Sequence, residues 1–153
     1  MFRSGFIVEP RIRCAIDATS KKRLLEALAE LLASSNPRLS GDQVFERLLE
    51  RERLGSTGLG HGIALPHARA KEVAEAIGAF VSTARGVDYD AADGEPVDLA
   101  FALLVPETAA EEHLQILARL AGLFSDPLIR ERLREAQTPG AVLGVFQLPP
   151  LPL

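Results

Sequence analysis

The stretch PVDLAFALLVP, Pro96 to Pro106, decides the fold class because it is the clearest strand in the chain. Large apolar side chains recur at alternate positions along one face: Val97, Leu99, Phe101, Leu103 and Val105. The other face is apolar as well: Ala100, Ala102 and Leu104. Strands buried on both faces show such continuous apolar runs instead of a polar alternation. The stretch therefore predicts a central strand that is covered on both sides.

Two shorter apolar runs upstream predict further strands. AIGAFVST, Ala76 to Thr83, has the composition of a strand. GIAL, Gly62 to Leu65, is followed by Pro66, which biases the residue before it toward extended geometry. We therefore expect a strand that ends at Pro66 and His67. Residues 1–18 mix apolar residues with arginines and show no clear period.

Two amphipathic helices are predicted before these strands. The first begins after Ser20, a favourable N-cap residue, and ends at Asn36 and Pro37. The second begins after Ser40, which forms a capping-box pattern with Gln43.

Three more helices are predicted after the central strand. Thr108 and Glu111 form a capping-box pattern at the start of the first one. Its apolar face is predicted to carry Leu114, Leu117, Ala121 and Phe124. Each of the other two opens with a capping residue followed by proline at the first helical position: Asp126-Pro127 and Thr138-Pro139.

The order of helices, strands and helices predicts a single α/β domain with a small mixed central sheet flanked by helices. We expect an N-terminal segment over residues 1–16, the domain over residues 17–146 and a Pro-rich tail over residues 147–153. The tail, which ends in LPPLPL, is predicted to be extended. Its apolar character indicates weak homodimerisation.

Composition excludes several functional classes. The chain has 153 residues and a formal net charge of −4, which disfavours a general nucleic-acid binder. No apolar run is long enough to cross a bilayer, and no signal segment opens the chain. Cys14 is the only cysteine, so no internal disulfide can form, and a cytoplasmic location is expected. Cys14 itself is interpreted as a small core residue.

The most unusual stretch is RERLGSTGLGHGIALPHAR, Arg51 to Arg69. A Walker loop would need lysine at His61, and a dinucleotide-binding motif would need glycine at Ile63. A serine-hydrolase elbow would need glycine at Leu54. His61 and His67 are six residues apart, which matches no short zinc signature, so no metal and no cofactor are predicted.

Phosphoryl transfer to histidine fits the stretch better. A neutral imidazole nitrogen can accept a phosphoryl group if cations and fixed hydrogen-bond donors lie nearby. His67 is the candidate acceptor, and Arg51, Arg53 and Arg69 are candidate cations. From the residues alone, the alternative is that His67 is a solvated loop histidine, as single loop histidines usually are. His61 is interpreted as a loop residue at the rim of the site.

The glycines Gly55, Gly58 and Gly60 allow the backbone to approach a ligand closely. Ser56 and Thr57 add possible backbone and hydroxyl donors. His113 is predicted near the start of a helix, where the helix dipole favours an anion. The alternative is a helix-face histidine that binds a backbone carbonyl.

These residues resemble the phosphorylation-site signature of the enzyme IIA domains of the mannitol–fructose class. These domains belong to the bacterial phosphoenolpyruvate-dependent phosphotransferase system. The matching pieces lie between Arg51 and His67. A second piece, EEHLQILARLAGLFSDP, resembles the family's helix with a second active-site histidine, which falls on His113. Ala68 departs from the pattern, since glycine is common after the phosphorylated histidine, so this position must tolerate a β-carbon.

The resemblance implies an α/β fold in which His67 accepts a phosphoryl group from a histidine phosphocarrier protein. It implies that Arg51 and His113 neutralise and hydrogen-bond that group, and that Ser56 and Thr57 support the loop. Within the family the chain most resembles the nitrogen-regulatory branch, in which the phosphorylation state regulates partner proteins. A sugar-transport component that passes phosphate to a IIB domain stays an alternative, as does a binding module without phosphoryl chemistry.

Overall fold

The computed structural model describes residues 2–147. These residues fold around a mixed six-stranded sheet. The elements in chain order are a short 3₁₀ helix (Glu9–Arg11), β1 (Ile12–Ile16), α1 (Lys21–Ala33), α2 (Gly41–Arg53), β2 (Gly58–Gly60), β3 (Ile63–Ala64), β4 (His67–Ala70), β5 (Ile77–Val87), β6 (Val97–Pro106), α3 (Ala110–Phe124), α4 (Pro127–Glu135) and α5 (Pro139–Phe146). The Pro-rich stretch 148–153 lies outside the described residues.

Strand β6 is central, as its sequence predicts. It pairs antiparallel with β5 on one side and parallel with β3 and β4 on the other. The strand order ends at β1, which is parallel to β5, and at β2, which is antiparallel to β3, whereas β4 pairs with β6 alone. The predicted mixed sheet between helices is therefore confirmed.

The two faces of the sheet pack against different helices. On one face, Leu28 and Leu48 of α1 and α2 belong to the same buried cluster as Ala102. On the other face, Leu120 and Phe146 of α3 and α5 belong to a second cluster. Val97 is buried with the first cluster and not with its predicted neighbours Leu99 and Phe101. It lies beyond an irregularity in the pairing of β5 with β6, between Ser82 and Val87.

Four of the five predicted helix starts are confirmed by side-chain caps. The hydroxyls of Ser20, Ser40 and Thr138 and the carboxylate of Asp126 each accept a backbone N–H from the first turn. The exception is Thr108, because the N-cap of α3 is Ala109 and no side chain caps it. A turn in which the N–H of Ala109 donates to the carbonyl of Pro106 delays the helix start by one residue.

The orientation of α3 also differs from the prediction. Its buried residues are His113, Leu120 and Phe124, whereas Leu114 is 68% exposed. The first buried position is therefore His113 and not the predicted Leu114, because this polar residue faces inward.

Three short strands, β1, β2 and β4, were not predicted from the sequence. β1 lies in the aperiodic N-terminal region and contains Ala15 with a positive φ of 52°. β2 is only three residues long. His67 does not end a strand but begins β4, and the adjacent Ala68 pairs with Leu104, so a β-carbon is accommodated there. No helix formed by residues 2–147 is long and apolar enough to cross a membrane.

Candidate active site

The first residue of β4, His67, is held by the backbone just before it. Its Nδ1 lies 2.8 Å from the carbonyl oxygen of Leu65. The intervening Pro66 anchors this corner to the central strand, because its carbonyl accepts the N–H of Leu103 at 3.0 Å. A proline lacks an N–H, so the chain turns here without leaving a donor unpaired. The result is an imidazole fixed at the junction of β3 and β4.

The contact with Leu65 determines which ring nitrogen can act as a nucleophile. A carbonyl oxygen only accepts, so Nδ1 must carry the proton, and in the neutral ring Nε2 keeps its lone pair. Burial lowers the pKa of His67 below the usual 6.5, and the charge of Arg51 acts in the same direction. The hydrogen bond to Leu65 and the charge of Glu52 oppose this shift without cancelling it. The ring is therefore neutral at physiological pH.

A second imidazole, from His113 in the first turn of α3, packs edge-on against the first. The ring centroids of His67 and His113 are 5.3 Å apart at an interplanar angle of 72°. His113 is 8% exposed, and within residues 2–147 its Nε2 is the one buried side-chain nitrogen or oxygen without a hydrogen-bond partner. Burial first, then the charges of His67, Arg69 and Arg51, lower its pKa.

Two of the three candidate arginines accompany the histidines. Arg51, Arg69, His67 and His113 line one surface depression of about 430 Å³. The guanidinium of Arg51 donates to the carbonyl of Gly55 at 2.9 Å, which holds it beside the glycine loop. Arg53 does not line this depression. The arrangement suits an oxyanion, since guanidinium groups bind such groups through several donors.

The glycine loop uses most of its own donors internally. Gly55 has a φ of 151°, which favours glycine. The N–H of Gly58 donates to the hydroxyl oxygen of Ser56 at 3.1 Å. A β-carbon on Gly58 would lie 2.7 Å from that of Ala91, so this glycine is required by close packing. Gly60 turns the chain with a φ of 91°.

Thr57 has a different role from that of a direct phosphate donor. It is buried, and both its N–H and its hydroxyl donate to the carboxylate of Glu52, at 3.0 Å and 2.7 Å. Sequence reasoning missed Glu52. The available signal was its position next to Arg51, five residues before Thr57, at the end of an amphipathic helix.

The site has an apolar rim, which we define as Leu54 and Leu59. These residues are 84% and 45% exposed. Leu54 shares the depression of the two histidines. Leu59 lines the adjoining depression of about 360 Å³, together with His67 and Leu117. Exposed apolar groups that surround a polar site are typical of a surface that contacts another protein.

His61 is not part of this cluster. It lies in the turn between β2 and β3 with a positive φ of 57°, and its N–H donates to the carboxylate of Asp93. Its side chain is exposed, and it lines a separate depression with Arg134. His61 lies in a loop, as predicted, but the prediction that it lies at the rim of the His67 site is wrong. Within residues 2–147, no group of three His, Cys, Asp or Glu side chains is arranged to hold a metal ion.

The fold and the cluster define the class of protein: a single α/β domain that presents a neutral imidazole and guanidinium groups beside its central strand. The chain belongs to the family described as "Phosphoenolpyruvate-dependent sugar phosphotransferase system, EIIA 2", whose model matches residues 6–147. The resemblance seen in the sequence is therefore confirmed.

Similar proteins come from both branches of the family. The "Nitrogen regulatory protein" of Pseudomonas aeruginosa is 48% identical over 146 residues, which cover 95% of this chain and 95% of that protein. The crystal structure of "Nitrogen Regulatory Protein IIA-Ntr" from Neisseria meningitidis superposes with a TM-score of 0.88 at 45% identity, covering 93% of this chain and 97% of that one. The "PTS system fructose-specific EIIA component" of Haloferax volcanii is 37% identical and covers 83% of this chain and 82% of that protein.

Proposed function

We propose that this chain accepts a phosphoryl group on Nε2 of His67 from a phosphorylated histidine phosphocarrier protein, and that its phosphorylation state regulates partner proteins. The observation that carries the proposal is the hydrogen bond from Nδ1 of His67 to the carbonyl of Leu65. It fixes the tautomer in which Nε2 holds the free lone pair. The lowered pKa of His67 keeps that lone pair available at neutral pH.

The transfer is a direct exchange between two imidazoles. The bond between phosphorus and the donor nitrogen breaks as the bond to Nε2 forms, and the donor nitrogen keeps its electron pair. The guanidinium of Arg51 neutralises charge on the phosphoryl oxygens, and His113 donates a hydrogen bond from its unpartnered Nε2. The glycine loop, Gly55 to Gly60, holds Arg51 in place and gives the donor room to approach.

A protein donor is favoured over a small molecule by the apolar rim. Leu54 and Leu59 offer apolar contact area beside the acceptor imidazole. A small phosphate ester would gain little from this area, whereas a second protein would bury it. We expect the exchange to occur in the cytoplasm, where the single cysteine stays reduced.

The regulatory role rests on the nitrogen-regulatory relatives, which are 48% and 45% identical to this chain. A phosphoryl group adds about two negative charges at neutral pH. Placed beside Arg51 and within the apolar rim, these charges would reverse the electrostatic character of the surface that a partner contacts. Partners that prefer one charge state would then respond to the phosphate supply.

The test is incubation with phosphoenolpyruvate and the upstream relay proteins, followed by detection of acid-labile phosphate. We expect labelling of the wild type and none of His67→Ala. His61→Asn is the matched control, because it removes a neighbouring exposed histidine and asparagine tolerates its positive φ. Labelling of His67→Ala, or no labelling of the wild type, would disprove phosphoryl acceptance at His67. If His67→Ala also leaves every partner interaction unchanged, the chain is a plain binding module.

A sugar-transport role is the second candidate. It is favoured by the 37% identity to the fructose-specific component of Haloferax volcanii. The two roles differ in the fate of the phosphate. Rapid onward transfer to a fructose- or mannitol-type IIB domain would indicate transport, whereas retention of the phosphohistidine in its presence would indicate regulation.

A further inference from the structure

We infer that Glu52 and Thr57 are positioning residues for phosphoryl acceptance, because they anchor Leu65, whose carbonyl fixes the tautomer of His67. The inference rests on the proposed function, in which Nε2 of His67 is the acceptor. The hydrogen bonds of Glu52 and Thr57 do not reach the imidazole directly. They act through the hydrogen bond between Thr57, just before β2, and Leu65, just after β3.

The anchor of this arrangement is the carboxylate of Glu52, in the last turn of α2. The side chain of Glu52 is 2% exposed. Its two oxygens accept the N–H of Thr57 at 3.0 and 3.2 Å and the hydroxyl of Thr57 at 2.7 Å. Charge-assisted bonds of this kind are stronger than neutral ones. Thr57 is thus held at both its backbone and its side chain.

Two further hydrogen bonds connect Thr57 to the acceptor. The carbonyl of Thr57 accepts the N–H of Leu65 at 3.0 Å. The carbonyl of Leu65, in turn, accepts the Nδ1 proton of His67 at 2.8 Å. A displacement of Thr57 would therefore shift the backbone of Leu65 and, with it, the carbonyl that keeps the proton on Nδ1. Helix α2 supplies both Arg51 to the phosphoryl group and Glu52 to this connection.

The carboxylate stays in place because its surroundings compensate its burial. The ammonium of Lys21 lies 3.6 Å from Glu52 and 4.4 Å from the ring centroid of Tyr89. The hydroxyl of Tyr89 is 3.1 Å from that of Thr57. Burial, followed by the charge of Glu52, raises the pKa of Tyr89 far above its usual value, so this phenol stays neutral. A buried carboxylate without such partners would be strongly destabilising.

A merely structural role for Glu52 and Thr57 predicts a different result from a positioning role. If they only stabilise the fold, their loss lowers the unfolding free energy and leaves the imidazole of the folded fraction unchanged. If they position His67, the folded protein itself shows a mixture of imidazole tautomers. The tautomer is therefore the readout that separates the two roles.

The experiment uses the full chain labelled with ¹⁵N in histidine, at a pH above 7 where the ring is neutral. Imidazole ¹⁵N shifts report which nitrogen of His67 carries the proton, and urea unfolding monitors stability. The variants are Glu52→Ala, Thr57→Val, which keeps the buried volume but loses the hydroxyl, and Thr57→Ser, which keeps the hydroxyl. Transfer from the phosphocarrier protein is measured in parallel.

In the wild type and in Thr57→Ser, we expect Nδ1 of His67 to carry the proton in nearly all molecules. Folded Glu52→Ala should show both tautomers and transfer about 10- to 100-fold more slowly, as expected for a displaced reacting group. In Thr57→Val, the tautomer mixture and the transfer rate should change in the same direction as in Glu52→Ala, but by a smaller amount. If Glu52→Ala does not fold, Thr57→Val decides the question, since it is close to isosteric.

A folded Glu52→Ala or Thr57→Val with the wild-type tautomer would overturn the inference. This outcome is distinct from failure of the proposed function. If the wild type accepts no phosphate, the function is wrong, yet the tautomer comparison still decides whether Glu52 and Thr57 position the ring.

Discussion

Replacement of His113 by leucine should stabilise the protein and impair phosphoryl acceptance at the same time. The side chain is 8% exposed, and its Nε2 is buried without a hydrogen-bond partner. Leucine fits the inward position in α3 and has no polar atom to bury. The same nitrogen is the proposed donor to the phosphoryl group, so His113→Leu removes a destabilising group that function requires.

Three contributions determine the change in unfolding free energy: two stabilise the variant and one destabilises it. Removal of an unsatisfied buried polar group gains about 1–3 kcal/mol. Leucine gains a few tenths of a kcal/mol over histidine in a helix. Loss of the edge-on contact with the ring of His67, at 5.3 Å, offsets about 0.5–1.5 kcal/mol. The net gain is about 1 kcal/mol, which corresponds to a Tm rise of about 2–4 °C for a chain of this size.

The stability difference should also depend on pH. Because burial lowers the pKa of His113, the unfolded chain binds a proton more readily than the folded one. The unfolding free energy of the wild type therefore falls as pH drops through the usual histidine pKa of 6.5. The variant lacks this group, so its advantage over the wild type should widen below that pH.

Urea unfolding monitored by circular dichroism at pH 7.5 and pH 5.5 measures the stability change, and phosphorylation by the phosphocarrier protein measures function. The transfer rate should fall by about 10²- to 10³-fold, as for loss of one transition-state donor. His61→Asn serves as the control and should leave the transfer rate unchanged. A variant that is less stable than the wild type, or that accepts phosphate at the wild-type rate, would refute the reasoning.

The remaining predictions concern the glycine loop, the acceptor and the rim. Gly58→Ala should lower the unfolding free energy by about 1–3 kcal/mol, because its β-carbon would lie 2.7 Å from that of Ala91. The matched control Gly122→Ala, in a helix with no atom within 4 Å of the new carbon, should raise it by about 0.5–1 kcal/mol. Both are measured by urea unfolding, and equal effects of the two would contradict the packing argument. The transfer rate should stay constant as pH falls through 6.5 and decline only below it, because burial lowers the pKa of His67 and the neutral ring is the nucleophile. A pH–rate profile with its midpoint above 6.5 would be inconsistent with that shift. Leu54→Ser should raise the KM for the phosphocarrier protein by about tenfold without changing stability, since the side chain is 84% exposed. An unchanged KM would mean that Leu54 lies outside the docking surface.

The elements that were predicted correctly are those whose signals are local. The two apolar faces of β6 indicate a central strand, and four helix starts carry their own capping residue in the sequence. The helix α3 was predicted correctly, but its cap was not, because a turn after Pro106 moves the N-cap from Thr108 to Ala109. The sequence of β1 has no clear apolar period. Its place in the sheet depends on its parallel pairing with β5, which is distant in the chain.

The sequence by itself determined the central strand, the helices around it and a glycine-rich loop with one candidate acceptor histidine. Only the tertiary structure decided which groups meet at that histidine. His113 reaches His67 because α3 turns a polar residue inward, and Glu52 reaches Thr57 because α2 ends beside the loop. His67 and His113 lie far apart in the chain, and the backbone carbonyl of Leu65 that holds Nδ1 leaves no trace in residue type. Local patterns specify elements, whereas the proton on Nδ1 depends on how those elements pack.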